Sequence, residues 1–163
     1  NSLSKNIDSY QEAFDLLFKS VVYTTSLVVP QMQKNKWGRI INVTSVSVKE
    51  PLNYLVLSNS IRSAVVAWAK SLSVDIGKDG ITINSILTGY FDTERIKELN
   101  KEKSKSLNIS ESEVLEKMKS LVPLNRLGKP EEYGYLVSFL SSEKASYING
   151  ASIPIDGGLL KSY

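Results

Sequence analysis

The chain has 163 residues, 42% hydrophobic and 23% charged, which is enough for one core of ordinary size and argues against general disorder. Twenty Lys+Arg against 17 Asp+Glu leave +3, and signs alternate along the chain (Glu94–Arg95, Lys101–Glu102–Lys103), a pattern of solvated helix faces and not of nucleic-acid binding. With no Cys and no His, disulfides, thiol nucleophiles, thiolate or imidazole metal sites and Ser–His catalysis are excluded, so any chemistry draws on Ser, Thr, Tyr, Lys, Arg, carboxylates or a cofactor.

Residues 8–33 carry Tyr10, Phe14, Leu17, Val21 and Val28 near helical spacing, with Pro30 towards the end, and predict a first helix. After a turn at 34–38, residues 39–45 are short and β-branched, as expected of a strand buried on both faces. Residues 54–77 return to helical period through Leu57, Ile61, Ala64, Val65, Trp68, Leu72 and Ile76, ending at Gly77, with Asp79-Gly80 as a turn. Residues 81–87 predict a second buried strand. The stretch 92–121 is polar and charged, with a break near 106–108. There Ser110-x-x-Glu113 is a capping box, and Ile109 is placed to staple onto Val114. Pro130-Glu131-Glu132 suits the start of another helix, and residues 151–155 read as a last strand stopped by Gly157-Gly158.

Strands alternating with helices imply right-handed crossovers and a parallel sheet covered on both faces. Three strands would leave the first with an unpaired apolar edge. The expectation is therefore an α/β, doubly wound parallel sheet of which this chain, 1–163, is the C-terminal half, the N-terminal half lying outside it. In such folds ligands sit beyond the carboxyl ends of the strands, which puts Thr44–Ser45, Leu87–Tyr90 and the following segment at the mouth.

At these residues the sequence resembles the short-chain dehydrogenase/reductase family. Gly38–Ser45 is similar to the family strand ending in its catalytic serine, and Asn84–Thr93 to the family's Asn-x-x-x-Pro-Gly-x-x-x-Thr segment. Residues 123–132 and 149–158 are similar to its late segments. The resemblance implies a Rossmann-type fold, NAD or NADP as cofactor, an alcohol or ketone substrate, and a substrate lid at 92–121. It further implies Thr88, Gly89, Tyr90 and Thr93 at the cofactor, and a homodimer or homotetramer paired through the helices 8–33 and 54–77; as a glycine, Gly89 is itself expected to need a special backbone conformation. Within the family the closest general look is to 3-oxoacyl-carrier-protein reductases and sugar dehydrogenases, a substrate choice that rests on analogy alone. No Gly-x-x-x-Gly-x-Gly occurs, so the family's pyrophosphate turn is expected in the half that lies outside this chain.

The departures concern catalysis. Counting from Ser45, the family's tyrosine falls on Ser58, its lysine on Arg62, and its asparagine, counted back from Pro30, on Leu17. A serine hydroxyl is a far weaker acid than a phenol, and Arg62 stays charged, so it can donate to ribose hydroxyls or an oxyanion but cannot shuttle protons. Ser58 and Arg62 share one helix face. Tyr54 and Tyr90 are the nearby phenols that could substitute. The reading is an oxidoreductase with Ser45 orienting substrate, Arg62 acting electrostatically and at the cofactor, and Ser58, Tyr54 or water delivering a proton. The alternative is a catalytically inactive relative that binds nucleotide or acts as a scaffold. Asp156 is expected to fix a turn, and Trp37, Trp68 and Tyr133 to pack or meet a second subunit. No metal site is expected. No apolar run reaches roughly 18–20 residues, so neither a membrane span nor a leader is expected, and the cytoplasm is the default compartment.

Overall fold

The computed structural model describes residues 6–162. Its centre is β2 (Ile81–Thr88), flanked by β1 (Gly38–Ser45) and β3 (Ser152–Ile155) in a parallel sheet of order β1-β2-β3. Residues 81–87 of β2 are all buried: β1 pairs along the whole of one edge, β3 pairs with Ser85–Thr88 on the other with Asn149 and Gly150 bonded to Ile83 before it, and both faces are covered. On one face Ile81 and Ile83 pack with Ala69 and Ile76 of α2 (Val56–Ile76) and with Val29 and Met32 of α1 (Ile7–Asn35). On the other, Ile86 packs with Leu140 of α5 (Pro130–Ser141), Ala145, Ile148 and Ile153. Helices on both faces of a parallel sheet make this the doubly wound Rossmann-type architecture expected from the alternation of elements.

Two carboxamides seat the segment that enters β3. Asn84, 1% exposed, donates through Nδ2 to the Ile148 carbonyl (2.8 Å) and accepts from the Ala151 N–H (3.0 Å). Asn149 accepts from the Ile83 N–H (3.0 Å) and donates to the Ser73 carbonyl (2.9 Å). The outer edge of β1 has no strand partner among the described residues, and Val43 is exposed on it.

The first helix is longer than its periodicity indicated. It runs Ile7–Asn35 with Pro30 inside, and one turn, Asp15–Lys19, is π-helical. Among the described residues this helix alone is long and apolar enough, by length and composition, to cross a membrane. That differs from the expectation drawn from uninterrupted apolar runs, which charged residues break. The helix nonetheless packs on β1 and α2, with the Phe18 ring edge-on to Trp68 at 6.3 Å. α2 ends at Ile76, but Gly77 keeps helical angles (φ −58°), and the left-handed residue of the turn is Gly80 (φ 73°).

The 92–121 stretch folds as α3 (Glu94–Leu107) and α4 (Glu111–Ser120), with left-handed Asn108 between them. The expected capping box forms: Ser110 Oγ accepts from the Glu113 N–H (3.2 Å), and the Glu113 carboxylate accepts from the Ser110 N–H (2.9 Å). The two ends of this stretch are tied together. Gly128 N–H donates to the Tyr90 carbonyl and Asp92 N–H to the Gly128 carbonyl, both at 2.9 Å. Asp156 fixes the final turn as expected, accepting from the Gly158 N–H (2.9 Å) and the Leu160 N–H (2.8 Å).

Glu132 anchors the start of α5. It accepts both terminal nitrogens of Arg126, each at 2.7 Å, and the Lys129 N–H at 2.7 Å. The Arg126 hydrogen bonds, then that of Lys129, lower its pKa from 4.5 to about 2. A depressed carboxyl pKa stabilises the fold above 4.5 and loses that contribution as pH falls towards about 2. We expect the Tm advantage of the native chain over Glu132→Gln to shrink across that interval in thermal melts, while staying constant from pH 5.5 to 7.5.

Candidate active site

The strand register brings the carboxyl ends together: Ser45 lies opposite Thr88, and Thr88 opposite Ile155. Beyond them opens a cleft of about 580 Å³. Its floor is Ser45, Thr88, Gly89 and Tyr90; Leu52, Tyr54 and Leu55 form one wall, and α3 forms the other through Ile96, Leu99, Asn100 and Lys103. Met118 of α4 closes one side.

Ser45 Oγ accepts from the Ser47 N–H (3.1 Å), capping the short 3-10 turn Val46–Val48. Its own proton has no acceptor among the described residues and can be donated. Tyr54 lies ahead of α2, in the turn before it, and is largely exposed in the cleft wall. Tyr90 is half-buried. Burial, then the neighbouring Tyr54 phenol, push its pKa above the ordinary phenol value, so it remains a protonated donor at neutral pH. Thr88 shares a hydrogen bond with the Tyr133 hydroxyl (3.2 Å), and the Tyr133 ring meets Phe91 edge-on at 5.3 Å. Tyr133 thus does more than pack: its hydroxyl holds the Thr88 side chain at the strand end.

Gly89 departs from expectation. Its φ is not left-handed; glycine is required there by close approach, because a Cβ would lie 2.6 Å from Asp156 Cα. Its N–H donates to the Ile155 carbonyl at 3.0 Å. Thr93 does not line the cleft. It is the N-cap of α3, accepting from the Ile96 N–H at 3.4 Å, which satisfies a free amide of that helix end.

Ser58 and Arg62 also lie outside the cleft lining. Arg62 Nε donates to Ser58 Oγ (3.2 Å) and Nη1 to the Val43 carbonyl (2.9 Å). Burial draws the guanidinium pKa down from its ordinary value, with the Tyr133 phenol opposing. Arg62 instead borders a second cavity, about 260 Å³, with Leu17, Thr44 and Asn42. Leu16 and Leu17 reach this cavity from the π-helical turn, and Asn42 Nδ2 is buried there without a partner among the described residues. The candidate residues therefore divide: Ser45, Tyr54, Thr88, Gly89 and Tyr90 share one cleft, while Ser58 and Arg62 pair beside β1. Sequence reasoning missed Asn100 and Met118, although Ile96, Leu99, Asn100, Lys103 and Leu107 follow the spacing of one helix face.

A doubly wound α/β sheet with a cleft beyond its carboxyl ends, overhung by a helical segment, defines the class of Rossmann-type proteins. Within it, a family model described as Enoyl-(Acyl carrier protein) reductase matches residues 2–160, and the chain belongs to the short-chain dehydrogenase/reductase family. It is 34% identical over 131 residues to the NADPH-dependent reductase BacG of Bacillus subtilis, covering 80% of this chain and 51% of that protein. It is 32% identical over 154 residues to the 3-oxoacyl-[acyl-carrier-protein] reductase FabG of Buchnera aphidicola, covering 92% and 57%. Among solved structures it is similar to YwfH, an NADPH-dependent reductase involved in bacilysin biosynthesis (TM-score 0.92, 29% identity, 98% of this chain and 61% of that one). It is also similar to the L-sorbose reductase of Gluconobacter frateurii complexed with NADPH and L-sorbose (TM-score 0.91, 28% identity, 99% and 62%). The chain spans about half the length of the curated relatives it matches.

The tight seat of Gly89 gives a direct check. Gly89→Ala must displace backbone at Asp156, and we expect a loss of about 1–3 kcal/mol in denaturant melts. Gly134, whose Cβ would meet nothing within 4 Å, should tolerate alanine without loss.

Proposed function

We propose that this chain is the C-terminal part of an NAD(P)-dependent reductase that converts a ketone to an alcohol, or the reverse, with a non-standard catalytic set. The observation that carries the reading is the convergence of Ser45, Tyr54 and Tyr90 on one cleft at the carboxyl ends of the strands. The names of the relatives favour NADPH over NADH.

The residues present fit a nucleotide. Arg62 is a half-buried cation that donates only to neutral oxygens, and its Nη2 makes no hydrogen bond among the described residues. A ribose or phosphate oxygen is the acceptor such a group lacks. When bound, the nicotinamide supplies or accepts the hydride at the carbonyl carbon. The chain's own part is to hold the carbonyl oxygen and move one proton. The free Ser45 proton and the Tyr90 hydroxyl polarise the oxygen, and Tyr54, open to solvent, gives it a proton and is refilled from water. Ser58 is less suited, since its oxygen is engaged by Arg62. Residues 92–121 are the lid over this cleft. The exposed apolar side chains of α1, among them Leu16, Tyr23 and Leu27, support a homodimer or homotetramer.

A second reading, a relative that binds nucleotide without turnover, is favoured by the closed Ser58–Arg62–Val43 arrangement where the family places its acid and base. A fluorescence titration of NADPH and NADH into the full gene product, followed by a broad ketone panel, separates the two. We expect saturable binding and turnover; binding without turnover establishes the second reading. For the active protein, Tyr54→Phe should lower kcat by about 10²-fold or more, with Ser58→Ala changing it little. Arg62→Ala should weaken nucleotide binding by about 10- to 100-fold. Light scattering should give a mass of two or four chains.

A further inference from the structure

The wall of the cleft contributed by α3 is apolar at Ile96, Leu99 and Leu107. Among them stands Asn100, only 6% exposed, whose side chain makes no hydrogen bond among the described residues; its Oδ1 is closed from solvent and unpartnered. Asn is a poor choice for a helix interior and for an apolar wall, and here it neither caps a helix nor bonds back to the backbone. Leucine would suit both roles better. Unlike the other buried polar atoms without a partner, such as those of Asn42 and Thr82, this carboxamide lines the cleft, where a ligand can supply the partner it lacks. A half-turn about χ2 exchanges Oδ1 and Nδ2 without changing shape, so the group can meet a hydroxyl or an amide.

From this we infer that Asn100 is a specificity residue, and that the substrate is a carbonyl compound with an apolar body and a second hydrogen-bonding group, a hydroxyl or amide, that reaches Asn100. The inference rests on reading the cleft as the reductase substrate site. A matched ligand would exchange water for the carboxamide, whereas a plain ketone would leave the amide orphaned against its own methylenes.

The test uses the full gene product and two sets of probes: 2-octanone, and 2-octanones bearing one hydroxyl or one carboxamide along the chain. Affinity is read calorimetrically with a tetrahydro analogue of NADPH that has no hydride to give, so that no ketone is reduced during the titration, and reduction is assayed separately with NADPH. At least one substituted probe should bind about tenfold or more tightly than 2-octanone, and Asn100→Leu should remove that preference while binding 2-octanone at least as well. N100L should also melt no lower than the native protein in the absence of probe. If N100L fails to fold, Asn100→Ala, which only removes atoms, supports the same comparison. An unchanged preference in either variant, equal binding of all probes by the native protein, or no binding of any probe would overturn the inference. Preferential binding lost in N100L but without reduction of any probe would retire the reductase reading and leave the role of Asn100 standing.

Discussion

The whole arrangement depends on β2 being closed on every side. Its edges are taken by β1 and β3, and its faces by α1 with α2 and by α5. Such a strand favours apolar or internally satisfied side chains: its Ile-rich run is interrupted by an asparagine bonded at both ends of its amide, while the Thr82 hydroxyl is buried without a partner among the described residues. Because nothing can approach β2 from the side, its single opening is the carboxyl end. Ser45, Thr88, Gly89 and Tyr90 accordingly meet at the ends of strands and in the segments just beyond them.

Those loops are tied by hydrogen bonds and close packing where they meet the sheet. Ser45 caps a 3-10 turn, Thr88 is held by the Tyr133 hydroxyl, and Gly89 lies against Asp156 too closely for any side chain. Asp156 is itself fixed by two backbone amides. Polar groups at the cleft floor are thus positioned by backbone and hydrogen bonds, while the α3 wall contributes mostly apolar surface.

Much of this was legible in the sequence. Strand ends are found from β-branched runs and turns to within a residue, and the residues at the mouth follow from them, so Ser45, Thr88, Gly89 and Tyr90 emerge as neighbours. The spacing of Ser58 and Arg62 also shows that they share a face. It does not show where that face looks, because the outcome turns on the Val43 carbonyl at an open strand edge, a contact between distant parts of the chain. The π-helical turn has no sequence signature, since its hydrogen bonds answer to packing and not to propensity. The face of α3 could be drawn by periodicity, but periodicity is blind to a buried amide that lacks a partner. Gly89 illustrates the same gap: composition announces a special position, and only the fold says whether torsion or proximity made it so.

The pairing of Tyr90 and Asp92 with Gly128 has an evolutionary corollary. A segment whose two ends are tied at one point has the form of a cassette: α3 and α4 lie between those ends, and the stretch after α4 is held again where the Leu124 N–H donates to the Gly157 carbonyl. The charged outer surface of α3 and its apolar inner face can then be selected for whatever molecule the cleft must admit. Residues on the sheet side of the tie have no such licence, since Gly128 is pinned against the Phe91 ring and Gly89 against Asp156. Divergence in this chain should concentrate on one side of that seam, making the tie a boundary between inherited architecture and acquired chemistry.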